Sequence, residues 1–268
     1  MSTLGHPRLH LRRTDSTNDR ARELALSGAP HGTLVTAAEQ SAGRGRQGRR
    51  WSAPLGSALL MSLLLRTPPS LLPMIAAVAV CDVAGEDARI KWPNDVVVES
   101  APPRVTAPSS EGRPEGGPHP TMEKQLAKLA GILIEGRPQE GWAVLGIGLN
   151  VAVELDELPA ELRPGGAGRS ASSPLAAATL GRPREAIEPT LSLLLEALEG
   201  RLAEPAEATL AAWRSRDALL GREIAWTAGR GRARGIDGAG RLVVALADGG
   251  QTTLGAGEVH LQAVDERS

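Results

Sequence analysis

The longest apolar run in the chain, Leu71 to Val83, is interrupted only by Pro73 and Asp82. It falls short of the ~18 residues that a membrane span needs. With Ser70 as a cap it reads instead as a helix buried through Cys81, and a helix this apolar has to lie inside a folded core. The 268 residues give ample length for such a core, in one or two domains. Apolar residues at 41% and charged residues at 23% suit a globular protein and exclude disorder as the whole account. A net charge of -1 argues against a protein that coats nucleic acid.

Cys81 is the single cysteine, so no internal disulfide forms, which suits a reducing cytoplasm. The N-terminal basic residues are followed by no apolar core, so no secretory signal is expected. Tyr and Phe are absent, which leaves Trp51, Trp92, Trp142, Trp213 and Trp226 as the aromatics of that kind. Of 30 basic residues only Lys91, Lys124 and Lys128 are lysine. In such a background each lysine points to chemistry that arginine does not supply.

The spacing of apolar residues predicts a strand at Leu9–Arg12, then a helix capped by Ser16 or Thr17 and closed by Gly28. Strands follow at Gly32–Ala37 and Ala58–Leu65, the second with a polar Ser62 inside. Arg89–Lys91 and Val96–Val98 flank the turn Trp92-Pro93-Asn94. Ser100–Pro120, with six prolines and three glycines, reads as a surface insert. Lys128–Glu135 and Trp142–Leu149 read as paired strands, Arg163–Ser173 as a Gly/Ser-rich loop, and Glu185–Leu202 as a long helix with Thr209–Trp213 continuing helically. Beyond Leu219, short strands alternate with the turn signals Asp237-Gly238 and Asp248-Gly249, which predicts a small β-barrel. The boundary falls near Ser215, giving domains 1–215 and 216–268.

Four segments carry chemistry. In Gly43-Arg44-Gly45-Arg46-Gln47-Gly48-Arg49-Arg50-Trp51, three glycines allow close approach and four arginines present planar cations to carboxylate or phosphate oxygens. The loop lacks the Walker A pattern, and alone it equally fits a solvated loop or an RNA-binding tract. Lys91-Trp92-Pro93-Asn94-Asp95 holds its polar residues in a defined turn. Lys128–Glu135 opens on a lysine and carries Gly131, where a flat group could meet the backbone. Gly146-Ile147-Gly148-Leu149-Asn150 leaves room on one strand face beside a two-function amide.

In this order, with Ser16-Thr17-Asn18 and Glu39-Gln40 ahead of them, these segments resemble the catalytic core of biotin–protein ligases from about Leu9 to Trp213. The terminal β segment resembles the small C-terminal barrel of that family. The resemblance implies an α+β fold like class II aminoacyl-tRNA synthetases: a mixed sheet with helices on one side, plus a barrel of the Src-homology-3 type. It implies two steps, with biotin and MgATP giving biotinyl-5′-adenylate before a lysine of a biotin carboxyl carrier domain takes the acyl group. It further implies that Ser16, Thr17, Asn18 and Gln40 bind the biotin ring and its surroundings. Arg44, Gly45 and Arg46 fold over it, Trp51 packs behind, and Gly131 lies against it. Lys128 meets the carboxylate and the α-phosphate. Arg44, Arg46, Arg49, Lys91, Asn94, Lys128 and Asn150 serve ATP, and Asp95 holds or deprotonates the attacking lysine. The magnesium ligands are left open.

Gln47 stands where the family usually has a third loop arginine, and the insert replaces a short connection and is expected to bulge outward. A lipoate–protein ligase is the neighbouring alternative, and an Arg/Gly-loop nucleic-acid binder is the remote one. Only fifteen residues precede Ser16, too few for a winged helix-turn-helix, so neither DNA nor a membrane is an expected partner.

Overall fold

The protein is described by a computed structural model covering residues 4–100, 125–137, 140–163, 175–255 and 259–261. The insert and most of the Arg163–Ser173 loop lie outside these residues.

The first strands are β1 (Arg8–Leu11), β2 (Leu34–Ala37) and β3 (Ala58–Arg66), with helix α1 (Thr17–Leu26) between β1 and β2. Helix α2 (Leu72–Ala84) precedes β4 (Arg89–Lys91), β5 (Asp95–Ser100), β6 (Gln125–Arg137), β7 (Trp142–Asn150) and the short β8 (Ala176–Ala177). One sheet runs in the order β1-β2-β3-β7-β6-β5-β4, with β8 on β6. It is mixed: β1–β2 and β6–β8 are parallel, the remaining pairs antiparallel.

Strand alternation sorts the sheet into two faces. Leu34, Leu63 and Leu145 face one way, into a core with α2 and with helices α3 (Ile187–Ala203) and α4 (Ala206–Arg214). Val35, Leu64 and Val144 face the other way and pack against Ala21 and Ala25 of α1. The expectation of helices on one side is therefore corrected, because α1 covers the second face. Nearly every position of α2 from Leu72 to Cys81 is buried, as its composition requires. Its N-cap is Leu71 rather than Ser70, and Pro73 occupies the first turn, where a missing N–H costs nothing.

The C-terminal strands β9 (Glu223–Trp226), β10 (Gly229–Ile236), β11 (Leu242–Ala245), β12 (Gln251–Leu254) and β13 (His260–Leu261) form an antiparallel sheet in the order β12-β11-β10-β9-β13. Ile224, Ala233, Leu242, Val244 and Val259 belong to the same apolar cluster as α2 and Trp92. The terminal sheet thus packs onto the larger one without a solvent layer between them.

Candidate active site

The α1 face of the sheet carries the functional residues. Gly131 pairs with Gly148, and Leu133 with Gly146, so three glycines form a floor along β6 and β7. A side chain at Gly148 would meet the Trp51 indole at 2.5 Å, and one at Gly131 would meet it at 3.0 Å. One at Gly146 would run into the Asn18 amide. The glycines are therefore occupied by close approach of a ring and an amide, as the open strand face suggests.

Asn18 and Thr17 open α1 and are buried. Ser62, the polar residue inside β3, has its hydroxyl 2.6 Å from Asn18 Oδ1 and 2.8 Å from Thr17 Oγ1. The Thr17 backbone N–H donates to Gln40 Oε1 at 2.7 Å. Ser16 is the N-cap, yet its own side chain makes no capping bond; the Gln40 carbonyl satisfies the first turn from outside. These groups form one polar network holding both donors and acceptors.

Lys128 reaches the same face through a β-bulge. Lys128 and Gly131 are three residues apart, so strict alternation would put them on opposite faces. Against β5, the register jumps from Val96↔Ala130 to Val97↔Lys128, leaving Leu129 extra. The Lys128 ammonium then lies 2.6 Å from Asp95 Oδ1 and 5.5 Å from the centroid of the Trp51 ring.

The Gly43–Trp51 loop closes on itself. Gly45 N–H donates to Arg49 O, and Trp51 N–H to Gly43 O. Arg44 is held by Asp19 at 2.7 Å and Glu135 at 2.8 Å, and Asn18 donates to the other Glu135 oxygen at 2.9 Å. The hydrogen bond to Asp19, more than the Glu135 charge, holds the Arg44 guanidinium above its usual range. Arg46 reaches Asn94 Oδ1 at 3.5 Å. Asn94 itself is bound to β6, donating from its side chain to Ile132 O and accepting at its backbone from Ile132 N–H. A cavity of about 460 Å³ opens beside Arg44, lined also by Arg22, Glu135 and Trp142.

The expected nucleotide residues lie in different surroundings. Asn150 is buried and donates to Ala178 O at 2.8 Å. Arg49 is exposed at the loop. Lys91 is 8% exposed, and its ammonium donates to Val259 O at 3.0 Å, so it faces the terminal sheet rather than the site. Glu135 and Asp19, which fix Arg44, were not singled out from the sequence; Ser62 carried a signal as the polar residue of an apolar strand. Among the described residues no group of three or more His, Cys, Asp or Glu is arranged to hold a metal.

The fold is a mixed sheet with helices on both faces, joined to a second, antiparallel sheet, and the candidate site lies on the α1 face of the larger one. Residues 10–151 match the Biotin/lipoate A/B protein ligase family, and residues 219–261 match the Biotin protein ligase C terminal domain; the chain belongs to that ligase family. It is 34% identical to a biotin--[acetyl-CoA-carboxylase] ligase of Paracoccus denitrificans, over 93% of this chain and 98% of the relative. It is 36% identical over 160 residues to the bifunctional ligase/repressor BirA of Bacillus spizizenii, a match spanning only 41% of that protein. The biotin protein ligase of Aquifex aeolicus in complex with biotin and ATP shares the fold, with a TM-score of 0.69 at 23% identity over 96% of this chain and 99% of that one.

Proposed function

We propose that the chain attaches biotin to a lysine of a biotin carboxyl carrier domain through biotinyl-5′-adenylate. The observation that carries this reading is the bulge placing Lys128 on the glycine floor, beside the polar network of Thr17, Asn18, Gln40 and Ser62. A cyclic urea presents two N–H donors and a carbonyl, which that network can match. The dithiolane ring of lipoate presents neither, so the network favours biotin over the neighbouring alternative.

In the first step a carboxylate oxygen attacks the α-phosphorus, and the bond to the leaving pyrophosphate breaks. Bringing the two anions together costs about 4 kcal/mol at 4 Å and an effective dielectric near 20. Lys128, Arg44 and Arg46 supply the compensating charge, and positioning supplies up to ~7–11 kcal/mol more in the best case. Magnesium, when bound with ATP, would offset charge on the leaving pyrophosphate. In the second step the carrier amine attacks the acyl carbon, AMP leaves, and Asp95 takes the amine proton. Trp51, Gly131 and Gly45 shape the pocket around the ring. Arg49, Asn94 and Asn150 border the nucleotide side, and Ser16 sets the entry to α1.

The same reading assigns a synthetase-like catalytic unit to 1–215 and a barrel of the Src-homology-3 type to 216–268, working in the cytoplasm without DNA or membrane. Biotin-dependent exchange of pyrophosphate into ATP tests the activity, and calorimetry with biotin and lipoate tests the substrate. Exchange driven by lipoate but not biotin overturns the assignment.

A further inference from the structure

The turn between β4 and β5 is gripped from two sides. Its first residues are bound by the C-terminal part of the chain. Ile90 N–H donates to Arg216 O at 2.7 Å, and Ala218 N–H donates to Ile90 O at 2.9 Å. The Lys91 ammonium donates to Val259 O at 3.0 Å, and Trp92 Nε1–H donates to Gly240 O at 3.1 Å. Lys91 and Trp92 are 8% and 1% exposed. The last residues of the turn are bound by β6: Asn94 twice to Ile132, and Asp95 to Lys128. Five residues thus connect the terminal sheet to the charged pair in the site.

We infer that Lys91 and Trp92 are positioning residues, through which the terminal sheet sets the place of Asp95 against Lys128. This rests on the role given to Asp95 in acyl transfer. Both groups donate to backbone carbonyls, and each is buried, so neither contact is a solvated accident of the surface. Their chemistry also accounts for the residue types. A compact ammonium on a thin stem reaches the Val259 carbonyl in a packed interior, where a planar guanidinium needs more width. A tryptophan fills the core and still offers one N–H, which phenylalanine or leucine would not. The polar network assigned to the biotin ring stands on Thr17, Asn18, Gln40 and Ser62 rather than on the turn. Loosening the grip should move Asp95 while that network keeps its hold on the ring.

The test uses Lys91→Met and Trp92→Phe in the full chain; the first removes the ammonium, the second the indole N–H, and each keeps most of the buried volume. Two readouts apply. The first is amide exchange at Ile132, whose N–H is bonded to Asn94 O: it should accelerate at least ~10-fold in either variant while Thr17 stays protected. The second is transfer of biotin to a carrier domain. Its kcat should fall ~10-fold with KM for biotin unchanged, and Lys91→Met should add nothing in an Asp95→Asn background. Unchanged exchange at Ile132 overturns the inference whatever the enzyme does. Independent, additive losses from Lys91→Met and Asp95→Asn also overturn it, by showing a general structural role. Absence of biotin-dependent activity in the unaltered chain instead defeats the functional reading, and the exchange measurement still decides the grip.

Discussion

Lys128 Nζ and Asp95 Oδ1 lie 2.6 Å apart, on strands whose register is broken by a bulge at that point. The ammonium and the carboxylate neutralise one another before any ligand arrives. In the proposed function, a biotin carboxylate or an α-phosphate entering above Gly131 would give Lys128 a second anion to face, and Asp95 would be left to meet the amine of the carrier lysine. One contact would then link the two half-reactions.

The floor makes a steric prediction. A methyl at Gly148 would stand 2.5 Å from the Trp51 ring, and a methyl at Gly131 3.0 Å from it. Gly148→Ala should force the indole away at about 1–3 kcal/mol, read as weaker biotin binding by calorimetry. Gly131→Ala should cost less, because the ring and the Lys128 stem need move only slightly. Equal and unchanged affinity in both variants would show that the ring is not part of the pocket.

Much of the site was legible because its parts are local. The glycines at 146 and 148 share a strand face by simple alternation, and the Gly43–Trp51 loop advertises its charge. The joint role of Lys128 and Gly131 was visible only by resemblance, since a three-residue spacing argues against a common face and the bulge that reconciles it depends on β5. The contact of Lys91 was hidden for a similar reason. Its partner, Val259, is distant in sequence, and no periodicity signals a contact between a turn and the backbone of another sheet. The far face covered by α1 was equally hidden, because alternating strands do not say which helix lies on which side.

Arg44 makes a prediction about the loop. Asp19 and Glu135 hold it from the protein side, at 2.7 and 2.8 Å. Ligand anions should compete for this guanidinium and for Arg46 and draw the loop down. Trypsin cleavage between Arg44 and Arg50 should slow when biotin and ATP are added. In Glu135→Gln the unliganded loop should be cut several-fold faster, through loss of one ion pair. Cleavage that ignores both ligands and the substitution would count against a lid.

Asp217, bridged to Ile90 of β4, makes a prediction about pH. Burial pushes its carboxyl up to about 6, against the bonds from the Leu219 and Leu220 backbones that lower it. Among the described residues Asp217 Oδ2 has no hydrogen-bond partner. A folded-state value above the unfolded one means that the native protein holds its proton longer. Stability from this group is therefore present at pH 4 and is lost as pH rises through 6. Relative to the unaltered chain, Asp217→Asn should gain about 1–2 kcal/mol on going from pH 4 to pH 7.5. Thermal midpoints at both values measure it, and a pH-independent difference between the two proteins would refute the buried-carboxylate account.

The choice of lysine at 128 makes the sharpest prediction. Arginine is the ordinary cation of this chain, so a need for charge alone would be met by arginine. The space around Nζ explains the exception: Gly131 is close enough that an added methyl would stand 3.2 Å from it, and Trp51 and Asp95 close two other sides. A planar fork does not fit there without displacing the ring. Lys128→Arg should keep the fold and the charge and lose most biotin-dependent pyrophosphate exchange. Lys128→Ala should be worse, by ~2–4 kcal/mol in the adenylation barrier if the loss resembles that of another transition-state donor. Lys124→Arg, outside the described residues, serves as the control and should be nearly silent. Exchange at the unaltered rate in Lys128→Arg would show that charge alone suffices at this position and that the scarcity of lysine carried no chemical meaning.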